Sequence, residues 1–447
     1  MRAGPRAAPR EATRGSARPD RLILAALLAV IAVGALLRLV WLSDMEYKAD
    51  EATMFGFSQA RDFPGTGLPS GAGIRNPGMS VWGFVILGRG LGIDDPVALA
   101  RGVALLSIVA LALLAAFALR WVAMSEREPW LWAVALVSVN PLGVIFERKI
   151  WAQSLLPLLS LGVLAALWRR DSRPGALAWG LLGAWLGQIH MSGFFFAGGF
   201  AAWTALQRRR DVRWRWWLAG SGLGALTLIP WLRYLLDTDD PSVRSLKSIV
   251  RLDFWRYWIV DAVGVDLKFS LGGEFASFLA SPHLGGRGTH LVGALYVALA
   301  LLGLAVIVAA GRALWPRRSE LRDRSRVRAL LAGAGTQTGL ALAAALVGFG
   351  LLLTLSGAIV YRHYLLVAFA LPFVSLALAG LAAGRLGRVL LACLCVGQAL
   401  LSLSFLLYVH DHGGVPNGDY GVAYGDQTPA TRPPVTPGPA ASPPPGR

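Results

Sequence analysis

The sequence predicts an all-α, multi-pass membrane protein, and three observations predict it. Of 447 residues, 55% are hydrophobic and only 15% charged, with a mean hydropathy of +0.54. Apolar runs long enough to cross a bilayer recur along most of the chain. The loops between them alternate between arginine-dense and acid-rich, the pattern that insertion into a membrane imposes. A soluble chain of this length needs more polar surface than this one has.

The first run, 22–42, is too long for the apolar core of a cleaved leader. No small-residue cleavage site follows it, so it reads as an uncleaved first span. Further runs lie at 97–119, 130–147, 150–168, 174–190, 191–207, 214–236, 290–311, 330–356, 361–383 and 386–409. Together they predict about eleven transmembrane helices. The run Met79–Leu91 is shorter and holds Arg89, and Asn76-Pro77-Gly78 before it starts a turn. It is expected to lie along the membrane surface, as an interfacial helix in the first outer loop.

Charge orients this layout. Arg2–Arg21, Arg169–Arg173, Arg208–Arg215 and Arg312–Arg328 are dense in arginine and are expected in the cytoplasm. Asp44–Asp95 has seven acids and four bases, and Asp237–Thr289 has seven acids and six bases, so both are expected outside. Eleven spans satisfy all of these assignments, whereas counting Met79–Leu91 as a span would put the Arg169 and Arg208 loops outside. The net charge of +17 therefore reflects membrane topology and not nucleic-acid binding. Seventeen tryptophans also suit membrane interfaces.

The domain reading follows. Residues 1–21 form a disordered cytoplasmic N-terminus, and 22–410 a membrane domain with outer loops at about 43–96 and 237–289. Residues 411–447 form an outer, Pro-rich and largely disordered tail. The two cysteines, Cys393 and Cys395, sit two apart within one apolar run, so they point to different sides of a helix and suit neither a disulfide nor a metal site.

The topology gathers chemistry-bearing residues on the outer face. Asp50-Glu51 follows the first span directly, where adjacent carboxylates are costly unless water, a cation or a substrate meets them. Glu147-Arg148-Lys149 and Tyr361-Arg362-His363-Tyr364 bring basic groups to a side where positive charge is disfavoured. Taken singly, each base is an ordinary snorkelling flank residue; together, beside an acidic loop, they point to an anionic ligand. His190 lies at a break between two short spans, where polar groups line a cavity or make a hydrogen-bonded turn. Asp50 and Glu147 are the candidates for sharing a divalent metal cation; otherwise Glu147 pairs with Arg148 or Lys149.

These residues resemble a known group. A span, an Asp-Glu pair in the first outer loop, a Pro-led surface helix and Arg101 opening the next span are similar to the GT-C glycosyltransferases. The nearest likeness is to the protein O-mannosyltransferase and lipid A aminoarabinose transferase group, with the related bacterial sugar transferases of envelope lipids. Asn140-Pro141, Glu147-Arg148 and Ala152-Gln153-Ser154-Leu155-Leu156 resemble that group's second outer loop. Tyr361-Arg362-His363-Tyr364, followed by Pro372, resembles its later outer turn.

The resemblance implies a membrane glycosyltransferase whose donor is a sugar on a polyprenyl phosphate. The sugar would pass, with inversion, to a hydroxyl of an envelope lipid, glycan or protein on the outer face of the plasma (inner) membrane. It implies Asp50 as general base, or as a cation ligand, with Glu51 assisting. Arg148, Lys149, Arg362 and His363 would hold the donor phosphate, and His190, Glu147 and Tyr361 would touch substrate. One departure is Gln153, which stands where many relatives carry a second acid. Trp255, Tyr257 and Trp258 in the second outer loop suit either sugar stacking or interface anchoring. The competing reading is a flippase or transporter of phosphate-bearing lipids. Internal repeats and mid-span charges would mark one, and neither is evident here.

Overall fold

The computed structural model describes residues 21–69, 74–238, 250–316 and 335–435. Most of the N-terminal segment 1–21, part of the second outer loop, most of the arginine-rich segment Arg312–Arg328, the start of the run 330–356 and the end of the tail lie outside the described residues. Within them, the chain is nearly all helix, with three two-stranded antiparallel ribbons.

The first apolar run forms α1 (Arg21–Leu39), whose exposed Leu22, Leu28 and Leu36 leave one side suited to lipid. A short loop leads to α2 (Ala49–Ser58), then to the ribbon of β1 (Thr66–Pro69) and β2 (Arg75–Pro77). α3 (Met79–Val85) continues through a wide turn, Ile86–Gly90, and packs on α2. Next come α4 (Pro96–Arg120) and α5 (Arg127–Val139). Asp95 caps α4 by accepting from the Ala98 N–H at 2.8 Å.

Asn140-Pro141 ends α5 and begins α6 (Pro141–Phe146). The Asn140 side chain accepts from the Gly143 N–H at 3.0 Å, and Pro at the first helical position lacks only a donor that would be unpaired anyway. α7 (Leu156–Trp168), α8 (Arg173–Ile189), α9 (Met191–Arg208), α10 (Trp214–Ala225) and α11 (Ile229–Asp237) follow, with α8 packed against both α7 and α10. The second outer loop folds as α12 (Asp253–Val263), α13 (Lys268–Leu271), α14 (Phe275–Ala280) and the ribbon of β3 (His283–Leu284) and β4 (Arg287–Gly288). α15 (Leu291–Leu314), α16 (Gln337–Leu355), α17 (Leu371–Ala382) and α18 (Gly384–His412) complete the helices.

Among the described residues, five helices are long and apolar enough to cross a membrane: α1, α4, α15, α16 and α18. A sixth arises if Arg362–Ala368 and α17, bent by 78° at their junction, are taken as one span. The chain is thus a mostly helical, multi-pass membrane protein. The other apolar runs also fall on helices, which do not individually meet that description.

Close helix contacts use small residues, as they do where lipid gives no hydrophobic drive. A Cβ on Gly34 of α1 would stand 2.5 Å from the Ser138 carbonyl of α5. One on Gly199 of α9 would stand 2.4 Å from the Phe349 nitrogen of α16.

The tail departs from its sequence reading. Residues 413–427 are packed rather than disordered: β5 (Gly414–Val415) pairs with β6 (Gly421–Val422), and Val415, Tyr420 and Ala423 are buried. The reason is that the segment carries its own apolar and hydrogen-bonding side chains, which the Pro-rich composition beyond it conceals.

Candidate functional site

Four stretches distant in sequence converge on one cavity of about 820 Å³. The first is the start of α2 with the residues before it: Glu46, Lys48, Asp50 and Glu51. The second is the turn between α6 and α7, with Phe146, Lys149 and Trp151. The third is the second outer loop, with Arg256, Tyr257, Asp266, Lys268 and Phe269. The fourth is Tyr361-Arg362-His363, with Asp419 of the tail closing the rim.

Asp50 lies exposed in the first turn of α2, where helix N–H groups face outward. Among the described residues, its carboxylate makes no hydrogen bond or ion pair. Its neighbour has the opposite fate. Glu51 is buried at 3% exposure and accepts from the Lys48 N–H at 3.1 Å, so it caps its own helix. Burial, aided by the nearby Glu46 carboxylate, raises its carboxyl from 4.5 to about 7, against the pull of Lys149 and two backbone N–H groups.

The α6–α7 turn is closed by Ser154, whose hydroxyl donates to the Phe146 carbonyl at 2.7 Å. This turn separates its three charged residues. Lys149 points into the cavity, ion-paired with Glu46 and set over the rings of Phe146 and Trp151, 5.4 and 5.3 Å from their centroids. Arg148 points the other way, away from the lining. Its guanidinium donates to the Leu37, Val40 and Trp41 carbonyls at 2.9, 2.7 and 2.8 Å, filling the open C-terminal end of α1. Glu147 turns inward to Arg38 of α1 at 2.6 Å. The sequence expectation for Arg148 as a phosphate ligand, and for Glu147 as a substrate or metal ligand, is corrected here. Both side chains are consumed by the end of the first span, a contact 109 residues distant in sequence for the Glu147 pair.

Arg362 lies at the start of the short helix Arg362–Ala368. It is nearly buried, and donates from Nη1 to the Asp266 carbonyl and from Nη2 to Ser270 Oγ, each at 2.7 Å. Its Nε is buried with no partner among the described residues, and its guanidinium stands 4.8 Å from the Phe269 ring centroid. Tyr361 and His363 stack in parallel at 5.5 Å, and His363 meets Trp151 at 5.0 Å. His190 does not line the cavity. It packs edge-on behind His363 at 5.7 Å and Tyr364 at 4.8 Å, and its Nδ1 engages Ser192 at 2.7 Å. His190 therefore supports the aromatic wall.

Of the candidate residues, the fold thus brings Asp50, Glu51, Lys149, Tyr361, Arg362 and His363 to one cavity, and leaves Glu147, Arg148 and His190 outside its lining. It adds Glu46, Lys48, Arg256, Asp266, Lys268 and Asp419, which motif reasoning passed over. Asp266 and Lys268 lie in the loop already marked as outer by its acids, and no local spacing distinguished them. Of the three outer-loop aromatics, Tyr257 lines the cavity, Trp258 is buried, and Trp255 donates to Thr354 at 3.1 Å.

Among the described residues, no three or more His, Cys, Asp or Glu side chains gather into a metal-holding group, and Glu147 is already paired. The cavity's carboxylates, Glu46, Asp50, Glu51, Asp266 and Asp419, are interleaved with the cations Lys48, Lys149, Arg256, Lys268 and Arg362.

No protein-family model matches the chain, and no curated protein matches it. Among solved structures, the chain is similar to ArnT from Cupriavidus metallidurans bound to undecaprenyl phosphate, at 13% identity and a TM-score of 0.40 over 86% of this chain and 77% of that one. It is similar to the apo state of the same protein at 14% identity and a TM-score of 0.40, over 85% and 76%. It is also similar to an Archaeoglobus fulgidus oligosaccharyltransferase in the apo form, at 13% identity and a TM-score of 0.45, over 94% of this chain and 57% of that one.

Proposed function

We propose that this chain is a membrane glycosyltransferase that moves a sugar from a polyprenyl-phosphate donor to an acceptor hydroxyl. The observation that carries the reading is the composition of one cavity. An uncommitted carboxylate, Asp50, shares it with two inward cations, Lys149 and Arg362, and an aromatic wall of Trp151, Tyr361 and His363. A base, an anion cradle and flat apolar faces are what transfer from a phosphate-linked sugar requires.

In this reading Asp50 takes the proton of the acceptor hydroxyl as its oxygen attacks the anomeric carbon. The bond from that carbon to the phosphate oxygen breaks with inversion. The charge gained by the departing phosphate falls to Lys149 and Arg362, the two cations that line the cavity beside the aromatic wall. His363 contributes a ring surface and packs between Tyr361 and Trp151. Glu51 holds the first turn of α2 so that Asp50 faces the cavity. Asp266, a second carboxylate on the wall with no ion pair among the described residues, is the alternative base.

The proposal extends to topology. The apolar runs are read as about eleven spans with Met79–Leu91 at the membrane surface. The cavity then faces the outside of the plasma membrane, and an envelope lipid, glycan or protein is the acceptor. A cysteine placed at Ser70, a position outside the described residues, should react with an impermeant thiol reagent from outside.

The decisive experiment reconstitutes the protein in nanodiscs with a polyprenyl-phosphate sugar and an acceptor extract. Transfer by wild type and its loss in Asp50→Asn support the reading. Full turnover in Asp50→Asn, with loss in Asp266→Asn, would move the base to Asp266. Lipid translocation with no glycosyl product would overturn it.

A further inference from the structure

The segment after the last helix makes contacts that none of the roles above uses. It leaves α18 through Gly413, which takes a left-handed φ of 65°, and Gly414 follows with φ 116°. A Cβ on Gly414 would stand 2.3 Å from the Gly421 carbonyl, so the ribbon of β5 and β6 needs glycine there.

One side of this ribbon holds the stretch that leads into Asp50. Tyr420 donates its hydroxyl to the Asp44 carbonyl at 2.5 Å, and the Tyr424 N–H donates to the Met45 carbonyl at 3.1 Å. Gln427 donates to the Tyr47 carbonyl at 2.8 Å, and Glu46 forms a backbone bridge with Ala423. The other side holds the wall that carries Arg362. The Tyr420 N–H donates to the Ser270 carbonyl at 3.1 Å, and the Asn417 N–H to Glu274 Oε1 at 3.0 Å. Ser270 is the same residue whose hydroxyl accepts from Arg362.

Charge runs across the join. Asp419 stands 3.5 Å from the Lys48 ammonium, Lys48 stands 3.0 Å from Glu46, and the other oxygen of Glu46 pairs with Lys149. Glu46 is buried, so two lysines share one carboxylate that water hardly screens.

We infer that residues 414–427 are a strap that fixes the Asp50-bearing segment against the Arg362-bearing wall, with Glu46 and Asp419 as positioning residues for the Lys149 and Lys48 ammonium groups. Without the strap, the stretch from Asp44 to Lys48 loses four hydrogen-bonded or bridged attachments. What then holds it, besides its joins to α1 and α2, is His410 of α18 at 2.7 Å from the Asp44 carboxylate and the Lys149–Glu46 pair. The consequence for a donor phosphate rests on the function proposed above; the structural half does not.

The test is hydrogen exchange on the full chain in detergent, comparing wild type with the double variant Tyr420→Phe/Gln427→Ala and with a deletion of residues 414–447. Exchange in 44–52 should accelerate at least tenfold in both, while α7 stays as protected as in wild type. Amine labelling of Lys149 should rise in parallel. Wild-type rates in 44–52 in both variants would overturn the strap. If the deletion loosens α7 as well, the double variant decides. Asp419→Asn should raise the KM for a polyprenyl-phosphate sugar severalfold with kcat within twofold, and Asp419→Glu should restore it; equal effects on kcat and KM that Asp419→Glu does not reverse would deny Asp419 a positioning role. Failure of wild type to bind undecaprenyl phosphate would overturn the donor reading and leave the exchange result standing.

Discussion

Arg38 and Glu147 form a buried ion pair, Nε to Oε2 at 2.6 Å, between the first span and the turn that carries Lys149. Arg38 is fully buried, and its remaining donors reach the Gly34, Ser138 and Val137 carbonyls at 2.9, 2.6 and 3.3 Å. The pair thus ties α1, the end of α5 and the α6–α7 turn into one unit. Its cost of desolvation is met by this complete set of partners.

Removing one member should expose that balance. Arg38→Met is expected to cost about 3–5 kcal/mol, because it strands a buried carboxylate. Adding Glu147→Leu should recover most of the loss. Unfolding in detergent, followed by tryptophan fluorescence, measures both. A double variant as unstable as the single one would show that the pair is not the cause.

Arg148 and Lys149 are neighbours in sequence with different expected phenotypes. Arg148→Met leaves three carbonyls at the end of α1 without a donor, at about 1–3 kcal/mol for each one that water fails to reach. It should lower stability while the surviving folded protein keeps its KM. Lys149→Met and Arg362→Gln also remove buried contacts, to Glu46 and to the Asp266 carbonyl and Ser270, but the protein that stays folded should in addition lose about 10²–10³ in kcat/KM, the usual loss for a group that stabilises developing charge. Steady-state kinetics beside thermal melts separate the two patterns.

Asp50→Asn should reduce kcat by about 10²–10⁴ with little change in melting temperature, since the side chain is exposed and makes no contact that folding requires. A melting temperature that falls as far as the activity would point to a structural role instead.

Glu51 makes stability fall with rising pH. Its carboxyl titrates near 7 in the folded protein and near 4.5 when unfolded, so the folded chain holds the extra proton between those values. The stability it contributes is full below about pH 4.5 and is lost as pH rises to about 7, by up to about 3 kcal/mol. Glu51→Gln keeps the cap on Lys48 and should remove this slope. Melts between pH 4.5 and 8 read it directly, and an identical slope in the variant would assign it to other groups.

Much of this architecture was legible in the residues. Hydrophobic runs showed where helices lie, because apolar composition is local, but the run 130–147 was read as one span where Asn140-Pro141 ends α5 and starts α6. Asp50, Lys149 and Arg362 were legible as candidates because charges beside apolar runs are few. The partition of Glu147-Arg148-Lys149 was not. Three consecutive charged residues in a turn can face three directions, and which one faces a cavity depends on what packs behind them. Arg38 sits inside an apolar run with nothing local to indicate its partner. The tail was misread for a similar reason. Pro-rich composition from 428 onward describes a chain that cannot pack by itself, yet Tyr420, Ala423 and Gln427 pack because a surface far back in sequence receives them.

The sequence alone determined the apolar surroundings of this protein, its mostly helical character and a short list of charges placed beside apolar runs. These follow from transfer of side chains between water and lipid, which each segment experiences independently of the rest. Only the tertiary structure decided which of those charges are spent on one another. Arg38 takes Glu147, and the end of α1 takes Arg148. What remains unspent, Asp50 above all, is left to face the cavity. These two pairings are set by contacts across a hundred or more residues, where geometry rather than neighbouring sequence fixes the partner.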